Sequence, residues 1–221
     1  MSEVTKASAN ASFINAVEMD DRTRERQDNI IGRSPRIEPL PVSEFSEEMQ
    51  AINHEIRVAF NLPLDLPPWE YLATVLRHPS LFRPHNALAV ELVGNGALSP
   101  RDRELAIIRL AWLMQAPYEF GEHVGAGKRM AGITDEEINW LIEGSSAPGW
   151  SERDRAIVRA VEELVDDAMI SDETWAVLAA NWDEKQLLEL PILLGQYQGV
   201  AYLQNSIRAR LLEGNSGLAA R

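Results

Sequence analysis

Apolar residues recur along most of the chain at the three- and four-residue spacing that is typical of amphipathic α-helices. In residues 43–60, for example, Ile52 and Ile56 fall on one helical face. Residues 187–212 are more apolar and predict a long helix that Pro191 kinks or restarts. No segment shows the strict alternation of a β-strand, so the sequence predicts an all-helical fold.

The most apolar of the shorter helices is predicted to begin at Ser99. This serine can cap the helix N-terminus, and Pro100 occupies the first helical position, where proline is tolerated. A helix that is apolar on nearly every side is buried in a core, yet this one contains Glu104 near its start. Because an unpaired carboxylate is costly to bury, we expect Glu104 to lie at the surface or to be held by a polar neighbour.

The next predicted helix begins at Pro117 and brings three protic side chains at once, Tyr118, Glu119 and His123. Glu119 and His123 are four residues apart, so their side chains lie on one helical face and can touch. Together with Glu104, these residues form the best candidate site in the chain.

Two helix starts in the chain are nearly identical. Residues 99–103 read S-P-R-D-R, and residues 151–155 read S-E-R-D-R. One interpretation is a degenerate repeat of a helical hairpin; the other is that the two segments merely share a good capping pattern. In a true repeat, Ala156 would take the place of Glu104, and the candidate site would belong to the first copy alone.

The length of 221 residues and the hydrophobic fraction of 45% are sufficient for one sizeable core. We expect a single all-helical domain over residues 36–215, preceded by a polar N-terminal tail or arm over residues 1–35 and followed by a C-terminal tail over residues 216–221. No apolar run has the length of a membrane span, and no secretory signal is visible. We therefore expect a cytoplasmic protein.

Charge and cysteine content narrow the function further. The net charge of −13 at pH 7 disfavours nucleic acids and anionic membranes as partners, which leaves a small molecule as the expected substrate. The chain contains no cysteine. Disulfides and thiol-based catalysis are therefore excluded.

Three segments in order resemble the carboxymuconolactone decarboxylase family, which is related to the alkyl hydroperoxidase D proteins. They are R-E-L-A-I-I-R-L-A at 103–111, Y-E-F-G-E-H at 118–123 and G-I-T-D-E-E-I at 132–138. The resemblance covers about residues 68–212 and is strongest over 98–141. It implies an alkyl hydroperoxidase D-like helical bundle. It also implies a homo-oligomer (a dimer, trimer or hexamer), in which we expect the helix in residues 187–212 to lie at an interface.

The hydroperoxidase branch of this superfamily carries a Cys-x-x-Cys pair followed by a histidine. When the two patterns are matched on His123, the cysteine positions are Ala116 and Glu119 in this chain, and Glu104 matches an upstream glutamate. The resemblance therefore points to a cysteine-less branch that is not a thiol peroxidase.

For function, the resemblance implies a cofactor-independent, decarboxylase-like lyase acting on a small lactone, keto acid or related ring compound. His123, with an ordinary pKa near neutrality, is the predicted proton donor and Glu119 its orienting partner. Glu104 is a second acid or base, and Tyr118 donates a hydrogen bond to a substrate oxygen. A dehydratase, an isomerase or a lactone hydrolase could use the same groups.

Two other interpretations of the site remain open at this point. Glu104, Glu119 and His123 could hold a divalent metal ion, although the resemblance implies no metal. Alternatively, Glu119 and His123 form an internal ion pair in a non-enzymatic helical oligomer. His78 and His85 either line the pocket wall or make local structural hydrogen bonds.

Overall fold

The computed structural model describes residues 19–59 and 62–221. These residues contain ten α-helices, two short 3-10 turns and no strand, which confirms the predicted all-helical fold. No helix in the described ranges is both long and apolar enough to cross a membrane. The helices are α1 (Asp21–Ile31), α2 (Glu47–Ala59), α3 (Glu70–Val75), α4 (Pro79–Gly94), α5 (Pro100–Leu113), α6 (Pro117–Ala131), α7 (Asp135–Glu143), α8 (Glu152–Asp167), α9 (Asp172–Ala179) and α10 (Glu184–Ile207).

Helix α5 lies at the centre of the molecule. It packs against α6, α8, α10 and α7, and all of its residues from Asp102 to Ala111 are buried. Leu105, Ile107 and Ile108 are completely enclosed and join one core cluster with apolar residues of the surrounding helices. The prediction that an all-round apolar helix is buried is therefore confirmed for α5.

The helix ends follow the capping residues in the sequence. The hydroxyl of Ser99 accepts a hydrogen bond from a backbone N–H of the first turn of α5. Complete capping boxes open two later helices, with Thr134 and Glu137 at α7 and Asp183 and Gln186 at α10. Each box satisfies backbone donors that the start of a helix otherwise leaves unpaired.

Helix α10 ends earlier than predicted and does not restart at Pro191. It runs without interruption through Pro191 and ends at Ile207, where Arg208 adopts a left-handed conformation with φ of 57°. An interior proline destabilises a helix by about 3 kcal/mol. Here the buried side chains of Leu190 and Leu193, on either side of the proline, hold the helix together through core packing.

The structure describes part of each expected terminal segment, residues 19–35 and 216–221. Residues 21–31 of the N-terminal stretch form α1, whose Ile30 is buried, while residues 1–18 lie outside the described part of the chain. At the other end, Leu218 is fully buried, and its backbone N–H donates to Gln27 of α1 at 2.6 Å. These apolar contacts, which local polarity does not reveal, make both segments part of the packed fold.

Gly121 of α6 allows the C-terminal segment to pack directly on this helix. A Cβ atom at this position would lie 1.8 Å from the Oδ1 atom of Asn215. The amide nitrogen of Asn215 donates to the carbonyl oxygen of Tyr118 at 3.0 Å and to the carboxylate of Glu122 at 2.8 Å. The glycine is therefore required by close approach, and not by backbone conformation.

Candidate active site

The site begins with a helical hairpin made by α5 and α6. The two helices are joined by a tight turn in which Gln115 has a left-handed φ of 47°. Within the hairpin, the Nδ1 atom of His123 lies 2.7 Å from the Oε2 atom of Glu104. Glu104 is only 1% exposed, so this contact supplies the polar neighbour that its burial requires.

The second ring nitrogen of His123 faces the other predicted carboxylate. Its Nε2 atom lies 3.2 Å from the Oε1 atom of Glu119, one helical turn earlier on α6. Glu119 is 5% exposed. The structure thus brings Glu104, His123 and Glu119 together in a row, with the imidazole between two buried carboxylates.

Arg103 completes the charge balance of this row, and the sequence interpretation did not include it. Its guanidinium Nε lies 3.4 Å from the Oε1 atom of Glu104, and the residue is 5% exposed. Two carboxylates therefore stand beside two groups that can be cations, Arg103 and His123. A charged residue next to Glu104 on a helix predicted to be buried was the signal that could have identified it.

The carboxylates change the acid–base properties of His123. Burial alone would lower the pKa of the imidazole, but the charge of Glu104 and the hydrogen bonds to Glu104 and Glu119 raise the pKa of His123 to about 10. For Glu104, burial opposes ionisation, and the nearby His123 and Arg103 outweigh it, so that the pKa of Glu104 is lowered. The expectation of a near-neutral pKa for His123 is therefore wrong, because it omitted the second carboxylate.

The ring of Tyr197, on α10, contacts the ring of His123. The two rings meet edge to face with centroids 5.0 Å apart. Burial, followed by the charges of Glu119 and Glu104, raises the pKa of the Tyr197 phenol, which therefore stays protonated.

Tyr118 points to a neighbouring cluster. Its ring packs against Tyr71 with centroids 5.7 Å apart, and it shares a small apolar cluster with Ile207 and Ala209. In the described part of the chain it makes neither a hydrogen bond nor a ring contact with His123. Its pKa is raised by burial first and then by the charges of Glu122 and Glu119. The proposed hydrogen bond from Tyr118 to a substrate stays a prediction.

The other histidines lie apart from this row. The ring of His85 stacks on Phe82 at a centroid distance of 6.0 Å, and burial lowers its pKa. The ring of His78 is 3.4 Å from the hydroxyl of Ser80, a local contact at the start of α4. His54 is exposed on α2.

The geometry of the three central side chains is unlike a metal site. Glu104 and Glu119 meet opposite nitrogens of His123, so their oxygens do not converge with one nitrogen on a common point. No group of three histidine, cysteine or acidic side chains in residues 19–59 and 62–221 has the arrangement of a metal site.

Access to the site is narrow. The side chain of His123 is 16% exposed, whereas those of Glu104 and Glu119 are 1% and 7% exposed. Three cavities in the described chain lie elsewhere: two beside α1, and a narrow crevice beside Tyr71. None of these three cavities is lined by Glu104, Glu119 or His123.

Several solved structures have a fold similar to that of this chain. The alkylhydroperoxidase AhpD core of a peroxidase-related protein from Ralstonia eutropha JMP134 is 13% identical, with a TM-score of 0.66 over 81% of this chain and 95% of that chain. A cysteine-to-alanine variant of the debrominase Bmp8 in complex with 2,3,4-tribromopyrrole is 12% identical, with a TM-score of 0.65 over 81% of this chain and 93% of that chain. An AhpD-like protein of unknown function from Agrobacterium tumefaciens is 18% identical, with a TM-score of 0.57 over 62% of this chain and 94% of that chain. At these identities the neighbours establish the fold alone.

Sequence comparison matches the central part of the chain to one family. No curated protein matches the chain. Residues 79–163, which include α5, α6 and every member of the row, match the model of the carboxymuconolactone decarboxylase family. This match over residues 79–163 and the shared fold confirm the resemblance of the chain, which has no cysteine, to the carboxymuconolactone decarboxylase family and the AhpD-like proteins.

Proposed function

We propose that the protein is a cofactor-independent acid–base enzyme in which Glu104, His123 and Glu119 form a proton relay. The main support is the position of His123, whose two ring nitrogens face two different carboxylates at 2.7 and 3.2 Å. An imidazole placed in this way can exchange a proton on one side while it is held on the other.

The relay assigns a separate role to each carboxylate. Glu104 makes the shorter contact and is the more deeply buried, so it fixes the orientation of His123 through Nδ1. Glu119 stands at a position where the thiol branch of the superfamily carries a cysteine, and it faces Nε2. We therefore assign Nε2 and Glu119 to the substrate side. This reverses the sequence-based assignment of Glu119 as the orienting partner.

A decarboxylase-like lyase reaction fits these roles. The bond between the substrate carboxyl carbon and its neighbour breaks, carbon dioxide leaves, and the electron pair remains on the substrate as an enolate. A proton from Nε2 of His123 then adds to the carbon, and solvent restores the proton to the ring. With a pKa of about 10, His123 holds this proton at neutral pH.

The proposed substrates are small lactones, keto acids and related ring compounds, because these can stabilise an enolate and because the His123 side chain is only 16% exposed, which favours a small substrate. A dehydratase, an isomerase or a lactone hydrolase would use the same proton relay and is the alternative reaction. Thiol peroxidase chemistry has no place here, since the chain has no cysteine.

Turnover of such a panel by the full-length protein tests the proposal. His123→Gln should lower kcat by about 10²–10⁴, the range expected for loss of a general acid or base. Glu104→Gln should lower kcat less, because the ring remains but its orientation is weakened. His54→Gln, on the exposed face of α2, is the matched control and should leave the rate unchanged. A folded His123→Gln protein with undiminished turnover would contradict the relay.

A non-enzymatic helical oligomer is the second candidate, and two observations favour it. The row of charged groups is largely enclosed. In addition, one face of α10 exposes Leu188, Ile192 and Tyr202 at 71%, 56% and 58%, and a Cβ atom added at Gly195 or Gly199 would meet nothing within 4 Å. A second copy of the chain could pack on this face, whether or not the protein is an enzyme.

Sedimentation equilibrium and the turnover panel separate the two candidates. For either candidate we expect the wild type to be a homo-oligomer and Ile192→Glu to shift it towards the monomer. Val58→Glu, an equally exposed apolar position on α2, should not do so. An oligomer that turns over no member of the panel would favour the structural role, and a wild-type monomer would contradict the interface on α10.

A further inference from the structure

Four arginines line one open cavity between α1 and the end of α10; Arg208 is half-buried and the other three are exposed. The cavity has a volume of about 360 Å³. This is within the range of about 300–1,000 Å³ that is usual for small-molecule sites. We call it the arginine cavity. Its lining residues are Arg26, Asn29, Ile30, Arg33, Arg36, Asn205, Ser206 and Arg208, none of which is acidic.

The four guanidinium groups have no carboxylate partner in the described part of the chain. Arg33 donates to the amide oxygen of Asn29 at 2.7 Å, and Arg36 donates to the carbonyl oxygen of Ser206 at 3.1 Å. Slight burial and then the positive charges of Arg36 and Arg33 lower the pKa of Arg208. Since arginine stays protonated in proteins, these cations repel one another.

This concentration of unpaired positive charge is unexpected in so acidic a chain. The sequence has 34 acidic and 21 basic residues, and arginines elsewhere pair readily, as Arg210 does with Glu38 and Glu70. The two helix C-termini nearby explain only part of the arrangement. Each carries the equivalent of about half a negative charge, so together they offset about one of four cations.

The backbone holds part of the cluster in place. The backbone N–H of Arg36 donates to the carbonyl oxygen of Ile207 at 2.9 Å, which ties the segment after α1 to the end of α10. Arg208 follows immediately in its left-handed conformation. Arg36 and Arg208 are thus brought together by two segments that are far apart in sequence, which makes the cavity a product of the tertiary fold.

We propose that the arginine cavity binds small anions that carry two or more linked phosphate groups. Guanidinium groups match the oxygens of phosphate through paired, charge-assisted hydrogen bonds. A ligand with several linked phosphates can neutralise several of the cations at once. The net charge of −13 repels a long polyanion outside the cavity, which favours a compact ligand over a nucleic acid or a membrane surface.

Calorimetric titration of the full-length protein with inorganic tripolyphosphate at low ionic strength tests this proposal. We expect saturable binding of one anion per chain. The double variant Arg33→Gln/Arg208→Gln should raise Kd by at least about 30-fold, since charge-assisted hydrogen bonds are among the stronger ones. The control double variant Arg83→Gln/Arg159→Gln makes the same change in net charge outside the cavity and should alter Kd by less than about twofold, because these two arginines do not line the cavity and each already pairs with a glutamate.

Titrations with other anionic ligands identify the class of ligand that the cavity binds. ATP binding with the same Kd as tripolyphosphate would assign recognition to the phosphates alone, and tighter ATP binding would add a contact to the nucleoside; both support the site. The proposal would be overturned by an absence of saturable binding, by equal losses in the two double variants, or by tighter binding of an oligonucleotide or of phosphatidylglycerol vesicles. Circular dichroism establishes that each variant is folded.

Discussion

The segments that begin α5 and α8, residues 99–103 and 151–155, have similar sequences and contact each other. Ser99 and Ser151 each cap their helix by accepting a backbone hydrogen bond at 3.1 Å. The charged residues that follow are paired reciprocally across the two helices. Arg101 of the first segment contacts Asp154 of the second at 2.8 Å, and Arg153 of the second contacts Asp102 of the first at 2.5 Å. This reciprocity supports the interpretation of an internal repeat.

The residue that follows each segment is the main difference between the two helices. It is Glu104 in α5, where it contacts His123, and Ala156 in α8, where it is buried in the apolar core. The same capped and cross-linked helix start therefore occurs once with a buried acid and once without. The shared pattern therefore belongs to the scaffold, and a single side chain marks the copy in which chemistry is proposed.

The largest difference between the two helices should appear as the pH is raised, because Glu104 of α5 contacts His123, whose pKa is raised, and Ala156 of α8 has no such contact. The pKa of His123 is about 10 in the fold. It is near 6.5 in an unfolded chain. The stabilisation from its protonated form is therefore complete below pH 6.5 and is lost as the pH rises towards 10.

Denaturant unfolding of the wild type and of His123→Gln between pH 6 and pH 10 measures this loss. Each unit of pKa difference corresponds to about 1.4 kcal/mol, so the stability gap between the two proteins should narrow by several kcal/mol as pH rises. A gap that stays constant over this range would contradict the raised pKa.

Placing a glutamate at position 156 of α8, to match Glu104 of α5, should also destabilise the fold strongly. Ala156 is 6% exposed, and Ala156→Glu would bury a carboxylate without the histidine that Glu104 has. We expect a loss of about 3–5 kcal/mol in the free energy of unfolding, typical of an uncompensated buried charge. Ala176→Glu, at an exposed position of α9, should change stability by less than about 0.5 kcal/mol. Equal unfolding curves for the two variants would refute the difference in environment.

The reciprocal ion pairs should be unequal in strength. Asp102 has a side chain that is 1% exposed and a second oxygen without a partner, whereas the side chain of Asp154 is 13% exposed. Asp102→Asn should therefore reduce the free energy of unfolding by about 1–3 kcal/mol. Asp154→Asn should reduce it by less than about 1 kcal/mol. Urea denaturation of both proteins measures the two values, and a reversed order would show that burial does not govern these pairs.

The smallest effect should come from the caps, where the two segments are most alike. Ser99→Ala and Ser151→Ala each remove one side-chain acceptor at a helix start and should each reduce stability by about 1 kcal/mol. Thermal unfolding should give similar shifts for the two variants. A much larger shift for one of them would mean that its serine has a second role.

What the sequence could predict was mainly local. The caps of α5 and α7 and the pairing of Glu119 with His123 follow from residues close in sequence, and the structure contains all of them. The 2.7 Å contact between Glu104 and His123 depends instead on the turn between α5 and α6, so spacing along one helix could not reveal it. The family resemblance supplied that link.

The remaining differences between the sequence-based predictions and the structure arise from burial and from long-range packing. The pKa of His123 depends on two carboxylates acting against desolvation, and only one of them was given a place beside the ring in the sequence interpretation. Tyr197 comes from a helix about seventy residues further along the chain, and its contact with His123 has no local signal. The passage of α10 through Pro191 likewise reflects tertiary packing that outweighs a local penalty.

The contact between Gly121 and Asn215 links two positions that lie far apart in the chain. A side chain at position 121 would displace the amide of Asn215, which would then lose its hydrogen bonds to Tyr118 and Glu122. Among related chains, those with a larger residue at the position of Gly121 should carry a C-terminal segment that is shorter or that takes another path. A glycine at this point of α6 is therefore a sequence marker for a folded C-terminal segment, which can be sought in related chains before any of their structures is known.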